Sequence, residues 1–311
     1  MGVVNDAAPA EPQWIAVDWG TTNLRAWAMV GDQPLATAKS ARGMGTLSRE
    51  EFEPVLIETI GPWLGRGQAL PVVACGMVGA RQGWIEVPYV SLPSPPIDIA
   101  AMRSVETRNR LISVTIVHGL SQGDPPDVMR GEETQLAGLL ALEPRFEGIV
   151  CLPGTHSKWV EIRRGRVEGF RTFLTGELFD LIARQSVLRH VVDDGSAPAG
   201  PDFEQALDEI AADPAGLTGQ LFSIRAGALV AGLAPRAAND RLSGLLIGME
   251  VEASRALWAS GEVTLIGQAE LCALYARAIL HRGGRARAVD ATGCTLSGLN
   301  AVRCALCGDF A

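Results

Sequence analysis

No run of about 18 consecutive apolar residues occurs in this chain of 311 residues, so no segment reads as a membrane-spanning helix. The start, residues 1–10, lacks both a basic n-region and an apolar core, and does not read as a signal peptide. Asp6 stands where a myristoylation signal wants Ser or Thr. Positive charge is in deficit: 27 Lys and Arg face 35 Asp and Glu, a formal charge of -8. That argues against attachment to nucleic acid or to an anionic membrane by bulk charge. Cysteine is sparse. The 6 residues (75, 151, 272, 294, 304 and 307) sit mostly in apolar runs and read as reduced, buried thiols of a cytoplasmic protein. Cys304 and Cys307 form a C-x-x-C with no second pair and no nearby His, which favours packing on a helix over zinc or redox chemistry. A dinucleotide fingerprint is missing too, because Gly43-Met44-Gly45 does not continue into G-x-G-x-x-G and follows no convincing strand-to-helix entry. What is there is 47% hydrophobic residues, too many for a disordered chain and enough for two sizeable cores.

The order of elements repeats in outline. Residues 1–12 are Ala/Pro-rich and read as a disordered tail. Residues 14–19, 24–30 and 35–40 read as three strands joined by short turns. Ser48-x-x-Glu51 is a capping-box signature, and Phe52, Val55, Leu56, Ile60 and Trp63 recur at helical spacing over 48–64. Strands at 71–75 and 111–117 precede a helix over 132–142. A second strand, Gly-Thr loop and hairpin then occupy 148–174, with helices at 177–188, 202–212, 217–233 and 240–259. A strand at 262–267, a helix over 268–282, a strand at 286–289 and a helix over 295–306 close the chain. Asp193–Pro201 is the most linker-like internal stretch. The echo predicts two similar α/β domains with mixed sheets and hairpins, over residues 13–143 and 144–311.

The sharpest local signal is Asp18-Trp19-Gly20-Thr21-Thr22-Asn23-Leu24-Arg25. Asp18 ends a strand, Gly20 admits a close ligand, the hydroxyls of Thr21 and Thr22 can donate to phosphate, and Arg25 adds charge. A D-x-G turn alone is an ordinary hairpin; the full string points to phosphate. Gly154-Thr155 sits at the same place in the second hairpin, and two such turns could grip a nucleotide from both sides. His156 beside it reads as a polar turn residue. The loop after residue 74 combines glycines with Arg81, Gln82, Trp84 and Tyr89, and loops on a rigid scaffold concentrate binding groups. Packing explains the two aromatics equally well.

This paired arrangement resembles the actin, Hsp70 and sugar-kinase superfamily. Five strings narrow the resemblance: Ile15–Trp27; Gly76-Met-Val-Gly79 with Gly83-Trp84 and Pro88-Tyr89; Val128–Gln135; Leu152–Val160; and Thr172–Phe179. In order and spacing, from about residue 14 to the end, they are similar to the 2-dehydro-3-deoxygalactonokinase family. The resemblance implies a two-domain actin-like ATPase (ribonuclease H-like) fold, each domain a mixed sheet with β-hairpins flanked by helices, and ATP in the cleft between domains. It implies ATP-dependent phosphorylation of the 6-hydroxyl of 2-dehydro-3-deoxy-D-galactonate, in galactonate catabolism. In glycerol-kinase-like relatives the catalytic Asp lies in a Gly-Asp-Gln opening the helix before the second phosphate loop. Glu132 occupies that place here and departs from the usual Asp. Glu133 is read as the acid that favours the helix dipole, with Asp124 and Asp127 as reserve bases.

Under the same resemblance Asp18 positions Mg²⁺ through water, and Gly20, Thr21, Thr22, Arg25, Gly154 and Thr155 hold the phosphates. Gly267 and Gln268, where a strand enters a helix, meet adenosine, with one Gly where a Gly-Gly pair is typical. The sugar acid needs a cation or amide donors, for which Arg81, Gln82 and Trp84 are the candidates; Arg130 and Arg171 also qualify by charge. No nucleic-acid or membrane partner is expected. Two rival readings remain, a phosphohydrolase of the same fold and a non-catalytic sugar-acid sensor.

Overall fold

The computed structural model describes residues 11–65, 67, 69–193 and 199–308. The tail expected over 1–12 lies outside them except for Glu11 and Pro12, as do 194–198 of the expected linker. The described residues group into two compact units. The first takes the described residues up to Phe146, Arg164–Val167 and those from Thr292 on; the second takes Glu147–Arg163 and Glu168–Ala291.

The first unit begins with β1 (Trp14–Trp19), β2 (Leu24–Val30) and β3 (Gln33–Ser40), the expected antiparallel meander. Then come α1 (Phe52–Ile60), β4 (Leu70–Gly76), β5 (Tyr89–Ser91), β6 (Arg103–Val105), β7 (Ile112–Ile116), β8 (Gly119–Gly123), β9 (Pro126–Met129) and α2 (Glu132–Leu142). The main sheet has the order β3-β2-β1-β4-β7-β6, and β5-β8-β9 form a separate small sheet. β1, β4 and β7 run parallel, in a register that sets Asp18 beside Cys75.

Alternation in β1 explains the two-sided core. Ile15, Val17 and Trp19 join Leu24 and Ala26 against Phe52, Val55, Leu56 and Ile60 of α1. Trp14 and Ala16 face the other way, with Trp27, Met29, Val73 and Cys75. Asp18 continues that second row by the period of two.

The second unit holds β10 (Gly148–Leu152), β11 (Ser157–Arg163) and β12 (Arg166–Phe173), then α3 (Thr175–Gln185), α4 (Pro201–Ala212), α5 (Leu217–Val230), α6 (Pro235–Ala253) and α7 (Arg255–Trp258). It closes with β13 (Glu262–Gly267), α8 (Ala269–His281) and β14 (Arg285–Asp290). Its sheet order is β12-β11-β10-β13-β14, with β10, β13 and β14 parallel. Counted along the chain, both sheets begin third, second, first, fourth; the first then continues sixth, fifth and the second ends on its fifth, so the repeat seen in the sequence is a repeat of this four-strand topology. α6 begins five residues before the expected 240, where Pro235 supplies a favourable first-turn residue.

The last helix, α9 (Ala291–Cys307), returns to the first unit, whereas one linear boundary near residue 143 leaves it in the second. Its Leu296, Leu299 and Val302 complete the core row of Trp14, Ala16 and Cys75. It passes so close to α2 that a Cβ on Gly138 would stand 1.7 Å from the Cys294 carbonyl oxygen. All six cysteines are free, and no helix among the described residues is long and apolar enough to cross a membrane.

Candidate active site

The β1–β2 turn is held from one side only. Gly20 N–H donates to the Asn23 carbonyl at 2.9 Å, and Thr21, Thr22 and Asn23 are exposed. Behind it, Met44, Gly45 and Gly43 N–H groups donate to the carbonyls of Gly20 (3.0 Å), Thr21 (2.9 Å) and Thr22 (3.0 Å). With those carbonyls engaged, the Thr hydroxyls remain available on the exposed side for an anion. Gly43 has no alternative, since a Cβ there would lie 2.2 Å from the Thr22 carbonyl carbon. The Gly43-Met44-Gly45 string, legible in the sequence only as a failed dinucleotide motif, is the brace of this loop. Two glycines just past a three-strand meander were the available signal.

Arg25 lies across from Asp18 and donates from Nη2 to its Oδ2 at 2.5 Å, the side chains being 41% and 22% exposed. The Arg25 charge thus rests on the Asp18 carboxylate rather than standing alone beside the Thr pair. Asp18 meets α2 through two glycines. Gly76 (φ +91) ends β4 and Gly131 (φ +109) opens α2, both in the left-handed half of backbone space that glycine tolerates. A Cβ on Gly131 would be 3.3 Å from the Gly76 Cα, and one on Gly76 would be 2.8 Å from the Trp19 carbonyl and 3.4 Å from Asp18 Oδ1. The ends of β1 and β4 and the start of α2 therefore converge.

At that start the two glutamates differ. Glu132 is half-buried, and its Oε2 accepts from the Arg130 N–H at 3.0 Å. Glu133 is fully buried, accepting from Gly131 N–H at 2.6 Å and from Thr134 Oγ1 at 3.0 Å. Burial pushes the Glu133 carboxyl up to about 8, and the neighbouring Glu132 charge adds to the rise. A carboxyl held largely neutral at pH 7 is a poor partner for a helix dipole, so the role expected of Glu133 is corrected. It is a buried hydrogen-bonding group that fixes the turn before α2. Burial likewise raises the Cys75 thiol, with Asp18 and Glu133 contributing. Asp124 and Asp127 lie around the β8–β9 turn, where Asp124 is exposed and Asp127 bonds its neighbour Val128 N–H at 2.8 Å.

In the second unit the Pro153–His156 loop joins β10 to β11. Thr155 is exposed, and its carbonyl accepts from Glu177 N–H in α3 at 2.9 Å. A Cβ on Gly176 would stand 2.4 Å from the Gly154 carbonyl. Gly267, at the end of β13, lies under the loop, its Cβ position 3.0 Å from the Pro153 carbonyl, and exposed Gln268 precedes α8. His156 pairs with Glu177 at 2.5 Å, consistent with a polar turn residue.

Sequence reasoning missed what holds this loop from behind. Glu250 of α6, 2% exposed, accepts from Ser157 Oγ (2.9 Å), Trp159 Nε1 (2.8 Å) and Tyr275 OH (2.7 Å). Burial raises its carboxyl above the ordinary value, and these donors together with the Thr175 hydroxyl oppose the rise. Nothing local in sequence marks it, because the donors come from three other elements.

Of the expected sugar-acid residues, Arg81 has its side chain 79% exposed, with Nε 3.3 Å from Glu86. Gln82 is exposed beside it. Trp84 instead stacks on Phe52, with ring centroids 6.2 Å apart and 15° between planes, and meets Trp19 edge-on. The three are neighbours in sequence but do not converge, and Trp84 belongs to the α1 side of the core. Arg171 is exposed on β12.

Two sheets that share a four-strand order, each with a Gly-Thr turn in its first hairpin, define an α/β protein of the actin-like ATPase (ribonuclease H-like) fold. A sequence model of the 2-keto-3-deoxy-galactonokinase family matches residues 18–302, and the chain belongs to that family of kinases. It is 42% identical over 296 residues to a Rhizobium meliloti protein named probable 2-dehydro-3-deoxygalactonokinase, covering 93% of this chain and 95% of that one. It is 37% identical over 276 residues to the Escherichia coli 2-dehydro-3-deoxygalactonokinase, covering 87% and 90%. The crystal structure of a candidate 2-dehydro-3-deoxygalactonokinase from Sinorhizobium meliloti superposes with a TM-score of 0.84 at 41% identity, over 94% of this chain and 99% of that one.

Proposed function

We propose that this chain transfers the terminal phosphoryl group of ATP to the 6-hydroxyl of 2-dehydro-3-deoxy-D-galactonate. The observation that carries this is the convergence of the ends of β1 and β4 with the start of α2, the elements that carry Asp18, the exposed Thr21-Thr22 turn and Glu132. Phosphoryl transfer needs phosphate donors and a carboxylate that accepts the alcohol proton. Thr21 and Thr22, with Gly20 between strands, are the phosphate-binding groups of the first unit, and Gly154 and Thr155 are those of the second. Gly267 and Gln268 contact adenosine. Glu132 accepts the proton of the attacking hydroxyl.

The donor set suits Mg²⁺. Among the described residues no three His, Cys, Asp or Glu side chains cluster as a metal cage. Mg²⁺ commonly keeps several waters and takes one or two carboxylates plus substrate phosphates, which a single Asp18 matches. When bound, the ion neutralises charge on the phosphates. The free cysteines and the need for ATP support a cytoplasmic reaction.

The test is ADP release from Mg-ATP with and without 2-dehydro-3-deoxygalactonate, and with its C4 epimer. Sugar-dependent release supports the kinase, and equal release without sugar would replace it with a phosphohydrolase. Glu132→Gln should lower kcat by about 10²–10⁴ while KM for ATP stays nearly unchanged. Near-normal turnover would remove Glu132 from the base role.

A further inference from the structure

Arg130 stands directly after β9 and before Gly131, and only 9% of it is exposed. Its Nη2 donates to the Val87 carbonyl at 2.7 Å. Its Nε and Nη1 are buried with no hydrogen-bond partner. The guanidinium lies 4.3 Å from the centroid of the Tyr89 ring, itself 42% exposed, and a Cβ on Gly79 would come within 3.0 Å of Nη1.

The neighbouring His118 supplies no counter-charge. His118 accepts at Nε2 from Asp98 N–H at 2.8 Å, so Nδ1 carries the proton given to the Gly119 carbonyl at 2.8 Å and the ring is neutral. Burial lowers the His118 pKa, and the Arg130 charge lowers it further. Buried guanidinium nitrogens left without partners are costly, and an anionic group of a ligand would complete them. The aromatic face and the Val87 carbonyl hold the planar fork still, as recognition of a carboxylate requires.

Building on the kinase reading, we infer that Arg130 binds the carboxylate of the sugar acid, with Tyr89 as the wall beside it. Its backbone N–H holds the Glu132 carboxylate while its guanidinium reaches a side-chain length away to Val87 and Tyr89. A six-carbon acid with its carboxylate and reacting hydroxyl at opposite ends suits that separation. Arg130, rather than the exposed Arg81, makes the enzyme prefer acids over neutral sugars.

The experiment compares wild type, Arg130→Lys and Arg130→Met with 2-dehydro-3-deoxygalactonate and with its uncharged methyl ester. Arg130→Met should raise KM for the acid about 100-fold, leave KM for ATP within about threefold and abolish the preference for acid over ester. Arg130→Lys should recover part of both. An unchanged KM for the acid, or a raised KM for ATP with the acid preference intact, overturns the assignment. So does a wild type that uses the ester as well as the acid, a result that needs no variant to fold. If wild type shows no sugar-dependent ADP release, the kinase reading fails instead. Calorimetric binding of the acid to wild type and to Arg130→Lys then decides Arg130 separately, with equal affinity counting against it.

Discussion

Glu133→Gln isolates the buried carboxyl at the start of α2. In the folded protein Glu133 ionises at about 8, against an ordinary value of 4.5. Between those two pH values the folded chain keeps a proton that the unfolded chain has released. Stability therefore falls as pH rises through this window, and is unaffected by Glu133 below it. At about 1.4 kcal/mol per pH unit the full loss is about 5 kcal/mol, reached above pH 8. Gln has the same shape and stays neutral. Its oxygen can still accept from Gly131 N–H, and its amide can donate to the Thr134 hydroxyl, reversing the bond that Thr134 donates to Glu133.

Urea denaturation from pH 5 to 9, followed by the fluorescence of Trp14, Trp19 and Trp27 in the first unit, measures the difference between the two proteins. The curves should coincide near pH 5 and separate steadily, with the Gln variant the more stable by several kcal/mol at pH 8.5. Glu250, also buried with a raised pKa, is present in both proteins and cancels in the difference. Parallel pH profiles would refute the argument. A Gln variant weaker by about 0.3–1 kcal/mol at every pH would restore Glu133 as a partner of the helix dipole.

Two further substitutions test how the loops are held. Gly43→Ala must displace the Thr21-Thr22 turn, because its Cβ would sit 2.2 Å from Thr22. The variant should lose about 10–100-fold in kcat/KM for ATP, whereas Gly61→Ala, with nothing within 4 Å of its Cβ position, should lose none. Loss of activity in both would show a general sensitivity to alanine rather than a brace. Glu250→Ala strands the donors of Ser157, Trp159 and Tyr275 and should cost about 3 kcal/mol or more. Thermal denaturation should show this together with a higher KM for ATP, and an unchanged melt would mean that water replaces the carboxylate.

Much of the fold was legible because its strands alternate and its turns are marked. β1 to β3, α1, α2 and the β10–β12 hairpin region lie within a few residues of their expected places. β5, β6, β8 and β9 were not, for they are three to five residues long and carry no usable period. That gap mattered for the site. The small sheet formed by β5, β8 and β9 brings Tyr89 and Arg130 together, while the loop reading of the segment before it drew attention to Arg81, Gln82 and Trp84. α9 was found as a helix but its unit was not, since no local signal says that a chain returns to its first core.

The residues proposed to touch ligands and the residues that hold them differ in how they write themselves into a sequence. Asp18, Thr21, Thr22, Gly154 and Thr155 sit in contiguous strings, because a turn between two strands presents its groups locally. Their supports are remote. The first loop is fixed by backbone donors from Gly43 to Gly45, so only the lack of side chains is visible there. The second is fixed by the α3 start at Gly176 and Glu177 and by the Glu250 carboxylate, nearly a hundred residues further on. One topology has thus solved the same positioning problem twice by different means. The first loop is vulnerable to any added side chain, and the second to the loss of a buried acceptor. A motif search sees the two loops as equivalent, but alanine at their supports should not.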